Sequence, residues 1–200
     1  MPLVLQFHGA GGNGEGFAGT FQLDSGEMVL ISPDGVVQDW AGGGVGWDTR
    51  NNTTPDIQLV QALIQRATAE HCIDTSRIYA IGFSWGGWMA TQVACALGAS
   101  LRGFVSVAGG GPGGSCAGPV GGMVVHGTND GAEPIAAGTQ SRDKFQGIDG
   151  CGDSLGTASV PGCQAFGDCT KPLLWCQHEG GHEIPGFVTE NLESFLLSLP

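Results

Sequence analysis

The chain has 200 residues, 41% of them hydrophobic, which suits one domain with a substantial buried core, and residues 1–200 are read as such. Seven Lys and Arg face 19 Asp and Glu for a net charge of -12, a field that repels phosphate backbones and acidic lipid, so the sequence predicts neither nucleic-acid nor membrane partners. No apolar run approaches the roughly 20 residues of a membrane span, and an apolar strand begins almost directly after Met1, so no signal peptide is read in this sequence.

Taken in chain order, short apolar runs at Leu3–Phe7, Met28–Ile31, Ile78–Ile81, Gly103–Val107, Met123–Val125 and Leu173–Cys176 read as buried strands. Between them, Asp56–Glu70 carries Ile57, Val60, Leu63 and Ile64 at helical spacing, and Gly87–Leu97 and Phe187–Leu197 behave similarly. Strands alternating with helices predict a three-layer α/β fold around a mostly parallel sheet of about six strands. The 37 glycines gather in runs at 10–16, 41–46 and 108–114; apolar strands recur between the runs, so these are turns on a rigid sheet.

In such sheets reactive groups collect just after the carboxyl ends of strands. There the sequence places His8, Gly9, Ala10, Gly11 and Gly12 after the first strand, Ser84 after the third, Asp130 after the fifth and His182 after the sixth. Ser84 lies in Gly82-Phe83-Ser84-Trp85-Gly86 between a strand and a helix, the G-x-S-x-G context of a nucleophile elbow. A serine hydroxyl is a weak nucleophile until an imidazole takes its proton, and the imidazole needs a carboxylate to fix its tautomer. Ser84, Asp130 and His182 supply those parts in the chain order of the α/β-hydrolases. The oxyanion of a tetrahedral intermediate needs fixed donors, for which the backbone N–H groups of Ala10 and Trp85 are the candidates.

Each assignment has a plainer rival. Asn129-Asp130-Gly131 also makes a good turn, and Asp149 and Asp153 are alternative acids. For the base, His182 follows two glycines that let a loop bring the ring over the sheet, whereas His178 lies close to the strand. His8 and His126 close strands in His-Gly pairs and are expected to hold loops by hydrogen bonds; His71 ends a helix, where a cation suits the dipole. Trp40, Trp47 and Trp85 sit in loops expected on the active face and are candidate walls of a substrate pocket, while Trp88 and Trp175 read as packing.

Four of the seven cysteines, Cys151, Cys163, Cys169 and Cys176, fall at intervals of 12, 6 and 7 residues. That spacing fits disulfides in an excursion over about 150–176 better than a zinc knuckle, favours an oxidising compartment, and leaves at least one thiol over. No metal site is read. Asn51 and Asn52 both satisfy the N-x-S/T pattern.

Together, His8–Gly12, Cys72–Gly86 ("CIDTSRIYAIGFSWG"), His126–Asp130 ("HGTND") and Trp175–Pro185 ("WCQHEGGHEIP") resemble the secreted esterases that include feruloyl esterases of carbohydrate esterase family 1, acetylxylan esterases and polyhydroxybutyrate depolymerase-like enzymes. The resemblance implies an α/β-hydrolase fold, secretion, no cofactor, and Ser84, His182 and Asp130 as nucleophile, base and acid. It also implies strands ahead of the segment that starts here at Pro2, which this sequence lacks, and a smaller or polar residue where Trp85 stands. The resulting expectation is a serine carboxylesterase acting through an acyl-enzyme on feruloyl or acetyl esters of plant cell-wall polysaccharide. A polyester depolymerase with the same triad and an inactive sugar-binding version of the fold are the alternatives.

Overall fold

The computed structural model describes residues 1–24, 26–39 and 43–200. In chain order they form β1 (Leu3–Phe7), α1 (Gly14–Phe17), β2 (Val29–Ile31), β3 (Val36–Gln38), β4 (Gly44–Gly46), α2 (Pro55–Glu70), β5 (Ile78–Phe83), α3 (Trp85–Leu97), β6 (Gly103–Val107), β7 (Gly121–Gly127), α4 (Ile135–Ile148), β8 (Leu155–Thr157), β9 (Gln164–Phe166), β10 (Leu173–His178) and α5 (Gly186–Ser198). Among the described residues the main sheet has 8 strands in the order β2-β1-β5-β6-β7-β10-β9-β8. The first six run parallel, and these are the six strands expected from the apolar runs; β9 and β8 add antiparallel at one edge.

The alternation of side chains along each strand divides the core into two layers. Leu3, Leu5 and Phe7 of β1 face α2, α3 and α4, packing with Val60, Val93 and Phe145. Val4 faces the other way with Val105 and Val125, beneath Phe17 of α1 and Val188, Leu192 and Phe195 of α5. The register keeps the layers separate: Ala80 pairs with Phe104 and Phe104 with Gly122, and the Phe104 ring lies over Gly122, where a Cβ would stand 2.1 Å from it. A larger residue at 122 has no room unless Phe104 moves.

Besides the short α1, one helix, one hairpin and one edge ribbon go beyond the sequence expectation. α4 buries Gly138, Ser141 and Phe145, a face of small residues that gives little apolar periodicity; a Cβ at Gly138 would lie 2.4 Å from His126 Nδ1. β3 and β4 form a separate antiparallel hairpin that leaves Val36 and Val37 exposed. β8 is exposed along its length, so it has no buried face to produce an alternating pattern, and its ribbon with β9 lies in the cysteine-rich excursion. There Cys151–Cys169 and Cys163–Cys176 are bridged, a third bridge joins Cys95 of α3 to Cys116, and Cys72 is a free, exposed thiol.

Candidate active site

Ser84 sits between β5 and α3 with φ 58° and ψ -123°, a left-handed conformation that costs a non-glycine residue about 1–3 kcal/mol and persists only where the surroundings impose it. The surroundings do so through its glycines. A Cβ at Gly82 would lie 2.1 Å from the Gly86 carbonyl oxygen, and one at Gly86 only 1.9 Å from that of Phe7. The Ser84 N–H donates to the Val107 carbonyl at 2.8 Å, and the Ser84 carbonyl accepts from the Trp88 N–H at 3.1 Å, so strand and helix both hold the turn.

The loops after β7 and β10 bring the other two residues to it. The Thr128 N–H donates to the His178 carbonyl at 2.8 Å and the Asn129 N–H to the Gly180 carbonyl at 3.1 Å, knitting the two loops together. His182 Nε2 lies 2.8 Å from Ser84 Oγ, and His182 Nδ1 lies 2.8 Å from Asp130 Oδ2. The Asp130 side chain is fully buried, and its other oxygen accepts from the N–H groups of Ala132 at 2.9 Å and Glu133 at 2.8 Å. Burial pushes this carboxyl up, but the Glu133 and Ala132 amides and the His182 ring outweigh it and hold it below the usual carboxylate value. An ionised Asp130 accepts from Nδ1–H, which leaves the Nε2 lone pair facing the serine hydroxyl. The amides that orient the carboxylate thus come from residues 132 and 133, just past the turn anticipated at 129–131.

His8, His126 and His178 hold loops, while His71 caps the end of α2. The His8 ring accepts from the Gly35 N–H at Nε2 (2.9 Å) and donates from Nδ1 to the Gly9 carbonyl (2.8 Å). His126 Nε2 donates to the Glu133 carbonyl at 2.9 Å. His178 Nδ1 accepts from the Gly180 N–H at 3.1 Å, and burial holds the His178 ring below the ordinary histidine value. Asp149 is buried at the end of α4 and Asp153 hydrogen-bonds Gln146, so neither alternative acid joins His182.

A cleft of about 670 Å³ opens beside Ser84 and His182, bordered by Ala10, Trp85 and Trp88. Hydrogen bonds from Gly11 N–H to the Val45 carbonyl (2.8 Å) and from Gly12 N–H to the Gly9 carbonyl (3.1 Å) fix the loop around Ala10. The Trp85 ring packs beneath the hairpin, where a Cβ at Gly46 would lie 2.4 Å from it. Trp47, expected to wall the pocket, is instead wholly buried: its Nε1–H donates to the His8 carbonyl at 2.8 Å and its ring packs on Phe7. It supports the loop from behind because a buried indole needs a partner for its N–H. Trp40 lies outside the described residues. Trp88, read as packing, borders the cleft, with Glu133 and Gly111–Gly113. The glycine run after β6 stands at a strand's carboxyl end, the signal that identifies this wall; nothing in the local sequence singles out Glu133. Among the described residues no group of three or more His, Cys, Asp or Glu side chains is placed to hold a metal, and no helix is long and apolar enough to cross a membrane.

No protein-family model matches the sequence. Curated relatives do: the chain is 31% identical over 198 aligned positions to the "Probable feruloyl esterase C" of Aspergillus clavatus, covering 90% of this chain and 69% of that protein. The chain belongs to the feruloyl esterase family. It is accordingly a carboxylic ester hydrolase. The feruloyl esterase C of Emericella nidulans is 29% identical over the same number of positions, covering 90% of this chain and 70% of its own length. Among solved structures, an acetyl xylan esterase from Aspergillus awamori superposes with a TM-score of 0.76 at 14% identity, covering 97% of this chain and 88% of that one. A Bacillus cereus carboxylesterase superposes with a TM-score of 0.68 at 17% identity, over 98% and 87%. Both share the α/β-hydrolase fold of this esterase.

Proposed function

We propose that this feruloyl esterase family member is secreted and hydrolyses feruloyl or acetyl esters of plant cell-wall polysaccharide through an acyl-enzyme on Ser84. The observation that carries the reading is the unbroken hydrogen-bond chain from Ser84 through His182 to Asp130 at the edge of an open cleft. In the first half-reaction Ser84 Oγ attacks the ester carbonyl as His182 Nε2 takes its proton, and the imidazolium so formed is stabilised by Asp130. The N–H groups of Ala10 and Trp85 receive the oxyanion, and collapse of the intermediate expels the alcohol, which takes the proton from His182. Water, deprotonated by the same ring, then attacks the acyl-enzyme and releases the acid. No cofactor is needed for this chemistry.

Secretion is supported by three disulfides in a chain of this size. The acyl and alcohol classes come from the names of its relatives, and the cleft has room for either ester.

The test is direct. Ser84→Ala should abolish hydrolysis of p-nitrophenyl acetate and methyl ferulate by folded protein, and a fluorophosphonate probe should label the parent chain at Ser84 alone. Turnover surviving in the alanine variant would assign the nucleophile elsewhere.

A further inference from the structure

Among the described residues the cleft beside Ser84 is bordered by one carboxylate, that of Glu133, which the ester-cleaving chemistry leaves unused. Its backbone is fixed on both sides, by the N–H that donates to Asp130 Oδ1 at 2.8 Å and by the carbonyl that accepts from His126 Nε2 at 2.9 Å. Its side chain accepts a hydrogen bond at Oε2 from the Trp88 indole N–H at 3.2 Å. Trp88 is itself held flat, since a Cβ at Gly110 would lie 2.2 Å from its ring. Among the described residues no Lys, Arg or His forms an ion pair with Glu133.

A carboxylate has about four acceptor sites, and among the described residues the Trp88 indole N–H is the donor that reaches this one, on a side chain that borders the cleft. An acceptor-only group of this kind favours hydroxyl donors and disfavours anions. Next to it stands a rigid aromatic face suited to a planar or pyranose ring. We propose that Glu133 is a specificity-determining residue that accepts a hydrogen bond from a ring hydroxyl of the ester substrate while the ring lies against Trp88. The hydroxyl is either the phenol of a hydroxycinnamoyl acyl group or a sugar hydroxyl of the alcohol. The same charge opposes retention of the carboxylate product, because both are anions in one cleft. This inference rests on the Ser84 reading of the site and adds to it the residue that recognises a hydroxyl of the substrate.

The experiment compares the parent enzyme with Glu133→Gln and Glu133→Ala on four esters: methyl ferulate, methyl cinnamate, acetylated xylo-oligosaccharide and p-nitrophenyl acetate. A contact with the phenol lowers kcat/KM on methyl ferulate relative to methyl cinnamate by about tenfold in E133A and less in E133Q, which keeps a neutral acceptor. A sugar contact produces the same selective fall on the xylo-oligosaccharide relative to p-nitrophenyl acetate. Inhibition by added ferulate or acetate should also tighten several-fold in E133Q at low salt, a change that a residue merely bracing Trp88 would not cause. An equal fall on all four esters, or no fall on any, overturns the proposal. A parent enzyme that turns over none of the four overturns the esterase reading itself, a result distinct from loss of selectivity in the variants.

Discussion

His182 Nε2 lies 2.8 Å from Ser84 Oγ across 98 residues of sequence, and the ring reaches that position because Asp130 grips its far nitrogen at 2.8 Å. The serine is fixed separately from the other two, which share a pair of linked loops. Ser84 is set by glycine clearances at the β5–α3 turn, Asp130 by the amides of residues 132 and 133, and His182 by a loop stitched to the one carrying Asp130.

Asp130→Asn separates orientation from charge. The amide is close in size, yet it accepts poorly from Nδ1–H and offers N–H groups of its own, which favours the wrong imidazole tautomer. In a serine protease the equivalent change lowers kcat by about 10⁴, and a fall of similar order in kcat, with a smaller change in KM, is expected here. Because the Asp130 carboxyl titrates below its ordinary value, its stabilising contribution is present above the unfolded value near 3.9 and is lost as pH falls through the folded one. Acid unfolding of the asparagine variant should therefore lack this part of the pH dependence when followed by circular dichroism.

Gly86→Ala tests the elbow's geometry. The new methyl would lie 1.9 Å from the Phe7 carbonyl oxygen and 2.7 Å from that of His8, and neither backbone atom can move without shifting β1 or the Ala10 loop. Overpacking of this kind typically costs about 1–3 kcal/mol. The variant should melt several degrees lower, with turnover of p-nitrophenyl acetate falling further than the loss of folded protein explains. An unchanged melting curve would mean that the turn accommodates a side chain.

The fold is legible in the sequence wherever burial is two-sided. Leu3–Phe7 and Gly103–Val107 carry apolar side chains to both layers, so each reads as an unbroken run, and their boundaries match the strands observed. α4 is hidden because its packing face is made of Gly138 and Ser141 against His126 and Gly111, where larger residues do not fit. The edge ribbon β8–β9 is hidden because bridging through cysteines, rather than an apolar face, ties it down. In the site, residues at strand ends are found by position alone, and this serves for Ser84, Asp130 and His182. The role of Trp47 is not found this way. Whether an indole in a glycine-rich loop turns toward the cleft or the core depends on the His8 carbonyl that receives its N–H, a contact 39 residues away.

Asp149 carries a cost that a substitution should relieve. Its side chain is fully buried, one oxygen accepts from the Val120 N–H at 2.9 Å, and the other has no partner among the described residues. Burial pushes the carboxyl up to about 7, against the smaller opposing effects of that amide and of Lys171. The folded value lies above the unfolded one, so between about pH 4 and 7 the native state keeps a proton that the unfolded chain has released, and stability falls as pH rises through that window. Asparagine mimics the protonated acid. Asp149→Asn should match the parent near pH 4 and exceed it at pH 8 by a few kcal/mol, or several degrees in Tm for a chain of this length. Parallel pH–Tm curves for the two proteins would contradict the assignment.

The Cys95–Cys116 bridge should matter more to the cleft than to the core. Cys116 follows the glycine wall that borders the cleft, and the same loop is held by Gln92 of α3, whose Oε1 accepts from the Gly113 N–H at 3.1 Å, and by Asn52, whose Nδ2 donates to the Ser115 carbonyl at 2.6 Å. The bridge closes a span of 21 residues, for which the chain-entropy account expects roughly 3 kcal/mol, with wide scatter between proteins. Removing both sulfurs as Cys95→Ala with Cys116→Ala leaves the polar contacts to hold the wall, so the protein should fold with a Tm lower by several degrees. A wall free to open toward solvent orders the substrate less well, and KM for methyl ferulate should rise more than kcat falls. Cys163→Ala with Cys176→Ala supplies the contrast, because that bridge ties the edge ribbon to β10: its loss should lower Tm by a comparable amount and leave KM alone. If both pairs change KM equally, the wall's position does not depend on the Cys95–Cys116 tether.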